Sequence, residues 1–94
     1  MPQARAEDNI SIKRKQLTFR SWHRGTREVD LLLGRFADEC LASFDGGQLM
    51  LYDRFLNNSD PDIFNWLTKT EPVPDAENTA VARTVVEFFN KEKK

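Results

Sequence analysis

Between Thr26 and Ser43 the apolar side chains Val29, Leu32, Leu33, Phe36, Cys40 and Leu41 return at intervals of three and four residues, with Phe44 next in the series. Among regular conformations, only the α-helix, with about 3.6 residues per turn, gathers such positions on one side. The stripe predicts a helix from about Thr26 to Ser43 that needs a surface to pack against. Asp30, Arg35, Asp38 and Glu39 fall mostly on the opposite side and are expected in water. "FDGG" is expected to end the helix, because Gly46 and Gly47 accept backbone angles that other residues resist. A chain of 94 residues cannot divide its apolar surface between two cores. At 39% hydrophobic and 31% charged it carries enough core material to fold, with little to spare.

Other segments repeat the helical pattern. "NISIKRKQLTFRSWH" can place Ile12, Phe19 and Trp22 on one face while its lysines and arginines project outward. Gly25 stands where a helix needs a left-handed residue to stop, and Thr26 is suited to cap the next helix. Arg24 and Gly25 therefore read as a hinge between antiparallel or crossed helices. "QLMLYDRFLN" sets Leu51, Tyr52, Phe55 and Leu56 at helical spacing, and "SDPDIFNWL" restarts with a cap at Ser59 or Asp60 and Pro61 in the first turn. "TKTEPVPDAEN" reads as a loop, and Val81, Val85, Phe88 and Phe89 define a last helix whose lysine-rich end complements its dipole. Strand alternation is absent. The expectation is an all-α, compact five-helix bundle, a single domain over 1–94, with 1–9 a flexible N-terminus and 91–94 a frayed C-terminus.

A formal net charge of −1 offers no broad field for nucleic acid or anionic lipid, so a partner must be recognised locally. Cys40, the single cysteine, cannot form an internal disulfide, and no Cys and His spacing suggests a metal site. "MPQARAEDN" has no apolar signal core, and no apolar run reaches membrane-spanning length. A cytoplasmic protein without membrane insertion is expected. An enzyme would have to recruit His23, Glu28, Asp30 or Cys40. Cys40 lies on the apolar stripe, and a histidine at a helix end is better placed to bond carbonyls. Phosphate loop, HExxH pair and serine elbow are all missing, so no catalytic residue is assigned.

Two binding readings compete at the hinge. Helix, Gly25 turn and helix resemble a helix-turn-helix, with Arg14, Lys15, Arg20 and Arg24 for phosphates, as in a small nucleic-acid-binding or regulatory protein. Against that, the first turn of the second helix carries Glu28 and Asp30, which phosphates would repel. The basic side chains of the first helix are more simply its solvated face. A protein-binding module would instead use Trp22, Arg24 and Glu28, an aromatic, a guanidinium and a carboxylate at one corner. Spacing alone leaves that reading level with an ordinary solvated corner.

At these residues the chain resembles the small succinate dehydrogenase assembly factors that promote flavinylation of the flavoprotein subunit. The resemblance rests on Arg24, Gly25, Thr26, Arg27 and Glu28, an Arg-Gly-x-x-Glu signature with Asp30 just after it, and on "DPDIFNWL", Asp60 to Leu67, downstream. Thr26 replaces a methionine common in the family, and "FDGGQ" replaces a more acidic, glycine-poor loop. What the resemblance implies is a non-enzymatic five-helix chaperone that holds no cofactor tightly itself. It would bind the flavoprotein of succinate dehydrogenase, or of fumarate reductase, while FAD becomes covalently attached to that partner. Arg24, Gly25 and Glu28 would form the partner-binding surface, with Arg20 one turn earlier and Asp30 extending it. Phe64 and Trp66 would be core, Asp60 and Pro61 a helix start, and Asp62 a possible flank of the interface.

Overall fold

The computed structural model describes residues 9–92. Within them five α-helices follow one another: α1 (Asn9–Trp22), α2 (Arg27–Cys40), α3 (Gly46–Leu56), α4 (Asp60–Leu67) and α5 (Ala80–Glu92). Short 3-10 turns stand at Leu41–Ser43 and Asp75–Glu77, and no strand occurs among the described residues. Of the ends expected to be flexible or frayed, 1–9 and 91–94, residues 1–8 and 93–94 lie outside the described residues, while Asn9 opens α1 and Lys91 and Glu92 close α5.

α2 is the central element, as its stripe requires. It packs against α1, α4 and α5, while α3 touches α1 and α5. Val29, Leu33 and Phe36 on α2 join Leu49, Tyr52, Phe55 and Leu56 of α3, Ile63, Trp66 and Leu67 of α4, and Val81 and Val85 of α5 in one buried core. Phe88 and Phe89 are half-buried against it, as is Cys40, which is therefore less enclosed than its place on the stripe suggested. Burial and the neighbouring Glu39 raise the Cys40 thiol above its ordinary value, so it is a poor nucleophile.

Local chemistry explains most of the helix ends. Ser59 Oγ accepts the Asp62 N–H at 3.2 Å, with Pro61 in the first turn, which is the expected start of α4. Thr79 Oγ1 accepts the Ala82 N–H at 3.0 Å and starts α5. The start of α3 differs from expectation. Gly46 and Gly47 do not terminate a helix but form the first turn of one. Asp45 caps that turn in a reciprocal box: its carboxylate accepts the Gln48 N–H at 2.8 Å, and Gln48 Oε1 accepts the Asp45 N–H at 2.9 Å. The chain leaves α2 through the 3-10 turn instead, and the Arg14 guanidinium from α1 donates to Leu41 O and Phe44 O at 2.7 and 2.9 Å.

α1 departs further from its sequence reading. Ile12 and Phe19 are exposed, and the residues it buries are Leu17 and Ser21. A serine at the contact is accommodated because its hydroxyl donates to Leu17 O at 2.8 Å and pairs with the Tyr52 hydroxyl at 2.7 Å. That pairing removes the penalty of a buried polar group, which hydrophobic patterning treats as outward-facing. Burial pushes the Tyr52 phenol well above its ordinary value. The basic residues of α1 also do not simply point to water. Lys13 and Arg20 both grip Asp53 of α3, each at 2.6 Å, and Arg20 adds Asn57 Oδ1 at 3.2 Å. These two cations hold the Asp53 carboxyl below the usual carboxylate range.

Candidate functional site

The corner between α1 and α2 is four residues long, His23 to Thr26, with no regular structure of its own. Its shape is set by ties. Gly25 has φ +112°, a value that L side chains avoid, and it is the only glycine with positive φ among the described residues. The His23 ring N–H donates to Phe19 O at 2.7 Å, and the ring stacks on Phe19, so this histidine does finish α1. Asp30 is not solvated: half-buried, it accepts the Arg24 backbone N–H at 2.5 Å and so folds the turn back onto α2. Thr26 occupies the extended cap position, yet its hydroxyl makes no capping bond. It reaches Asp60 Oδ2 at 3.4 Å instead.

Arg24 is the centre of the arrangement. Its Nε donates to Asp60 Oδ1 at 2.9 Å, Nη1 to Leu56 O at 2.5 Å and Nη2 to Asn58 O at 2.8 Å. Leu56 ends α3, so the cation sits on orphan carbonyls at a helix C-terminus, where the dipole favours it. Its side chain is 12% exposed and that of Asp60 17%.

Glu28 is the opposite case. It is exposed in the first turn of α2 and has no hydrogen-bond or ion-pair partner among the described residues. With Thr26, Val29, Asp60, Pro61 and Phe64 it lines a cleft of about 310 Å³ between α2 and α4. Phe64 is 38% exposed at this cleft, whereas Trp66 is 5% exposed. Of the two aromatic rings expected in the core, only Trp66 is there. On so short a helix, α4 cannot turn both rings inward, since residues two apart face roughly opposite sides. Larger concavities lie elsewhere, among them one beside Cys40 and Phe88 and one beside Phe19 and Trp22.

Of the five site residues read from the sequence, Arg24, Gly25, Glu28 and Asp30 meet at this corner. Arg20 lies one turn back and is tied to α3. Asp60 belongs to the same constellation and was read from the sequence only as a helix start. Gly34 was passed over: a Cβ there would overlap the Trp22 indole, which bonds Asp38 Oδ1 through Nε1–H at 3.2 Å. A glycine inside a strong helical stripe was the available signal. The helix-turn-helix reading loses three of its four cations, because Arg14, Arg20 and Arg24 all donate to acceptors within the chain. Among the described residues no three His, Cys, Asp or Glu side chains group as metal ligands, and no helix is long and apolar enough to cross a membrane.

The described residues form a small all-α domain with a clefted polar corner. Residues 15–89 match the family described as flavinator of succinate dehydrogenase, and the chain belongs to that family. It is 35% identical over 82 residues to the FAD assembly factor SdhE of Acetobacter pasteurianus, covering 87% of this chain and 75% of that protein. It is 41% identical over 98 residues to the mitochondrial succinate dehydrogenase assembly factor 2 of Candida glabrata, covering 99% of this chain and 64% of the other. The corresponding protein of Danio rerio is 39% identical over 88 residues, 92% of this chain and 56% of its own. The chain thus spans under two thirds of these two mitochondrial relatives.

Proposed function

We propose that this protein is a non-enzymatic assembly factor that binds the flavoprotein subunit of succinate dehydrogenase and promotes covalent attachment of FAD to it. The observation that carries the reading is the family match over residues 15–89, which takes in α2, α3 and α4 whole and α1 from Lys15 onward. The flavin chemistry belongs to the partner. The factor holds no FAD tightly and stabilises a conformation of the flavoprotein in which the bond forms. The docking surface is the Gly25 turn together with the adjoining cleft lined by Glu28 and Phe64, in a corner held by the bonds of Arg20, Arg24 and Asp30. A carboxylate with no partner among the described residues, beside an exposed aromatic ring, supports this choice. The flavoprotein of fumarate reductase is a second client of the same surface, and the cytoplasm is the place of action. Purified apo-flavoprotein incubated with FAD, with and without this protein, tests the reading by fluorescence of covalent flavin in denaturing gels. Faster or fuller flavinylation in its presence is expected, and equal yields at equal rates would reject it.

A further inference from the structure

Two stretches stand out in the sequence, Arg24 to Asp30 and Asp60 to Leu67, and the fold joins them through Arg24 and Thr26, which both reach Asp60. All three acceptors of the Arg24 guanidinium, Leu56 O, Asn58 O and the Asp60 carboxylate, lie on the segment that leads from α3 into α4. The other carboxylate oxygen of Asp60 takes the Thr26 hydroxyl. Arg24 is also fixed at its backbone, through Asp30. A planar guanidinium with three acceptors at set directions has one orientation available, so the chain on either side of it is located as well.

We propose that Asp60 is a positioning residue for the docking surface, acting through Arg24 and Thr26, and that Glu28 rather than Arg24 makes the charged contact with the flavoprotein. This rests on the docking reading above. The residues from His23 to Thr26 make no regular structure, so their placement against α4 depends on side-chain bonds across the gap. Asp60 accepts two of them. Glu28 follows two residues after Thr26, and its carboxylate faces a cleft whose far wall is Pro61 and Phe64, next to Asp60 in sequence. Loosening Asp60 therefore changes where Glu28 stands relative to that wall. Arg24 offers little to a partner, because its charged end is enclosed and its donors point inward.

The test is a cycle of binding measurements on the full chain, with apo-flavoprotein of succinate dehydrogenase as the titrant and calorimetry as the readout. Glu28→Gln keeps shape and removes charge, and is expected to weaken binding by roughly tenfold or more. Asp60→Ala is expected to weaken it too, and Ser59 still caps α4 in that variant. The decisive quantity is the effect of Glu28→Gln in the Asp60→Ala background: about twofold or less, since a misplaced carboxylate has little left to lose. A merely structural Asp60 would leave the Glu28 factor unchanged in both backgrounds, and that result overturns the proposal.

Ile63→Val, a core truncation on the same helix, lowers stability without touching the clamp, and must leave the Glu28 effect whole. Its loss there would show general loosening and reject a positional role. Should Asp60→Ala fail to fold by circular dichroism, Arg24→Gln takes its place in the same cycle. Adding Arg24→Gln to Asp60→Ala is expected to change affinity little, and a further tenfold loss would make Arg24 a direct contact. A wild-type chain that does not bind the flavoprotein at all overturns the docking reading itself. Binding with independent Glu28 and Asp60 effects overturns only the positioning role.

Discussion

Trp22 seats on Gly34 because no Cβ stands between them; one built there would overlap the indole. The contact fixes the end of α1 on the middle of α2, and the Trp22 Nε1–H bond to Asp38 holds the ring in place. Alanine in a helix interior is normally better than glycine by about 1 kcal/mol. Here overpacking should cost about 1–3 kcal/mol and outweigh that gain. Gly34→Ala is therefore expected to destabilise the protein in urea melts. With Trp22→Ala already present, the same substitution should become stabilising. A Gly34→Ala variant that is more stable in both backgrounds would show that the ring moves aside at no cost.

The Asp53 clamp predicts an acid-sensitive contribution. Its carboxyl is held below the ordinary value by Lys13 and Arg20, so the folded state binds its proton less readily than the unfolded chain. The stabilisation is present above the unfolded carboxylate value, about 3.9, and is lost as pH falls through the lower folded value. Asp53→Asn should lower the melting temperature at pH 7. The gap from wild type should narrow below about pH 4. A gap that stays constant down to acid unfolding would mean that charge pairing contributes nothing.

Tyr52 is the only tyrosine, so its ionisation can be followed without overlap from others. Burial raises its phenol far above the ordinary value despite the bond to Ser21. The folded state favours the neutral form, so this contribution holds below the unfolded value, about 10, and is lost as pH rises beyond it. Absorbance near the tyrosinate band should stay flat past that pH and then rise together with the loss of helical circular dichroism. A rise that precedes unfolding would place the hydroxyl in contact with water. Ser21→Ala should destabilise by about 1–3 kcal/mol, since it leaves that hydroxyl without its side-chain partner.

What could be read from the sequence was local. The α2 stripe, the Ser59 and Pro61 start and the Gly25 turn each depend on residues within a few positions of one another, and each is found where expected, although α2 gives way to a 3-10 turn at Leu41 and leaves Cys40 half-buried. The features that went unread depend on distant partners. Ser21 is buried because Tyr52 lies thirty-one residues away, and Arg24 turns inward to an acceptor thirty-six residues away. Neither separation leaves a periodic trace. The two glycines after Phe44 were misread for another reason. Glycine marks where a chain can turn, and only the Asp45 and Gln48 box decides that this turn begins a helix.

Gly25 allows the sharpest separation of backbone geometry from side-chain chemistry. An added Cβ would meet nothing nearer than Asp60 Oδ2 at 4.0 Å, so space is not the constraint. The constraint is φ +112°, which costs an L residue about 1–3 kcal/mol. A D residue has the mirror-image preference and should fit, with some gain from a less flexible unfolded chain. A chain of 94 residues is within reach of chemical synthesis and ligation, so both alanine enantiomers can be placed at position 25. L-alanine is expected to lower stability and to reduce flavinylation of the partner, because relaxing φ moves Arg24 relative to Thr26 and so shifts Glu28. D-alanine should match or exceed glycine in melting temperature and support flavinylation. If D-alanine preserved the fold but abolished flavinylation, the bare glycine surface would itself be the contact, with a partner backbone lying against it. Equal stability for the two enantiomers would show that the turn has no handed constraint.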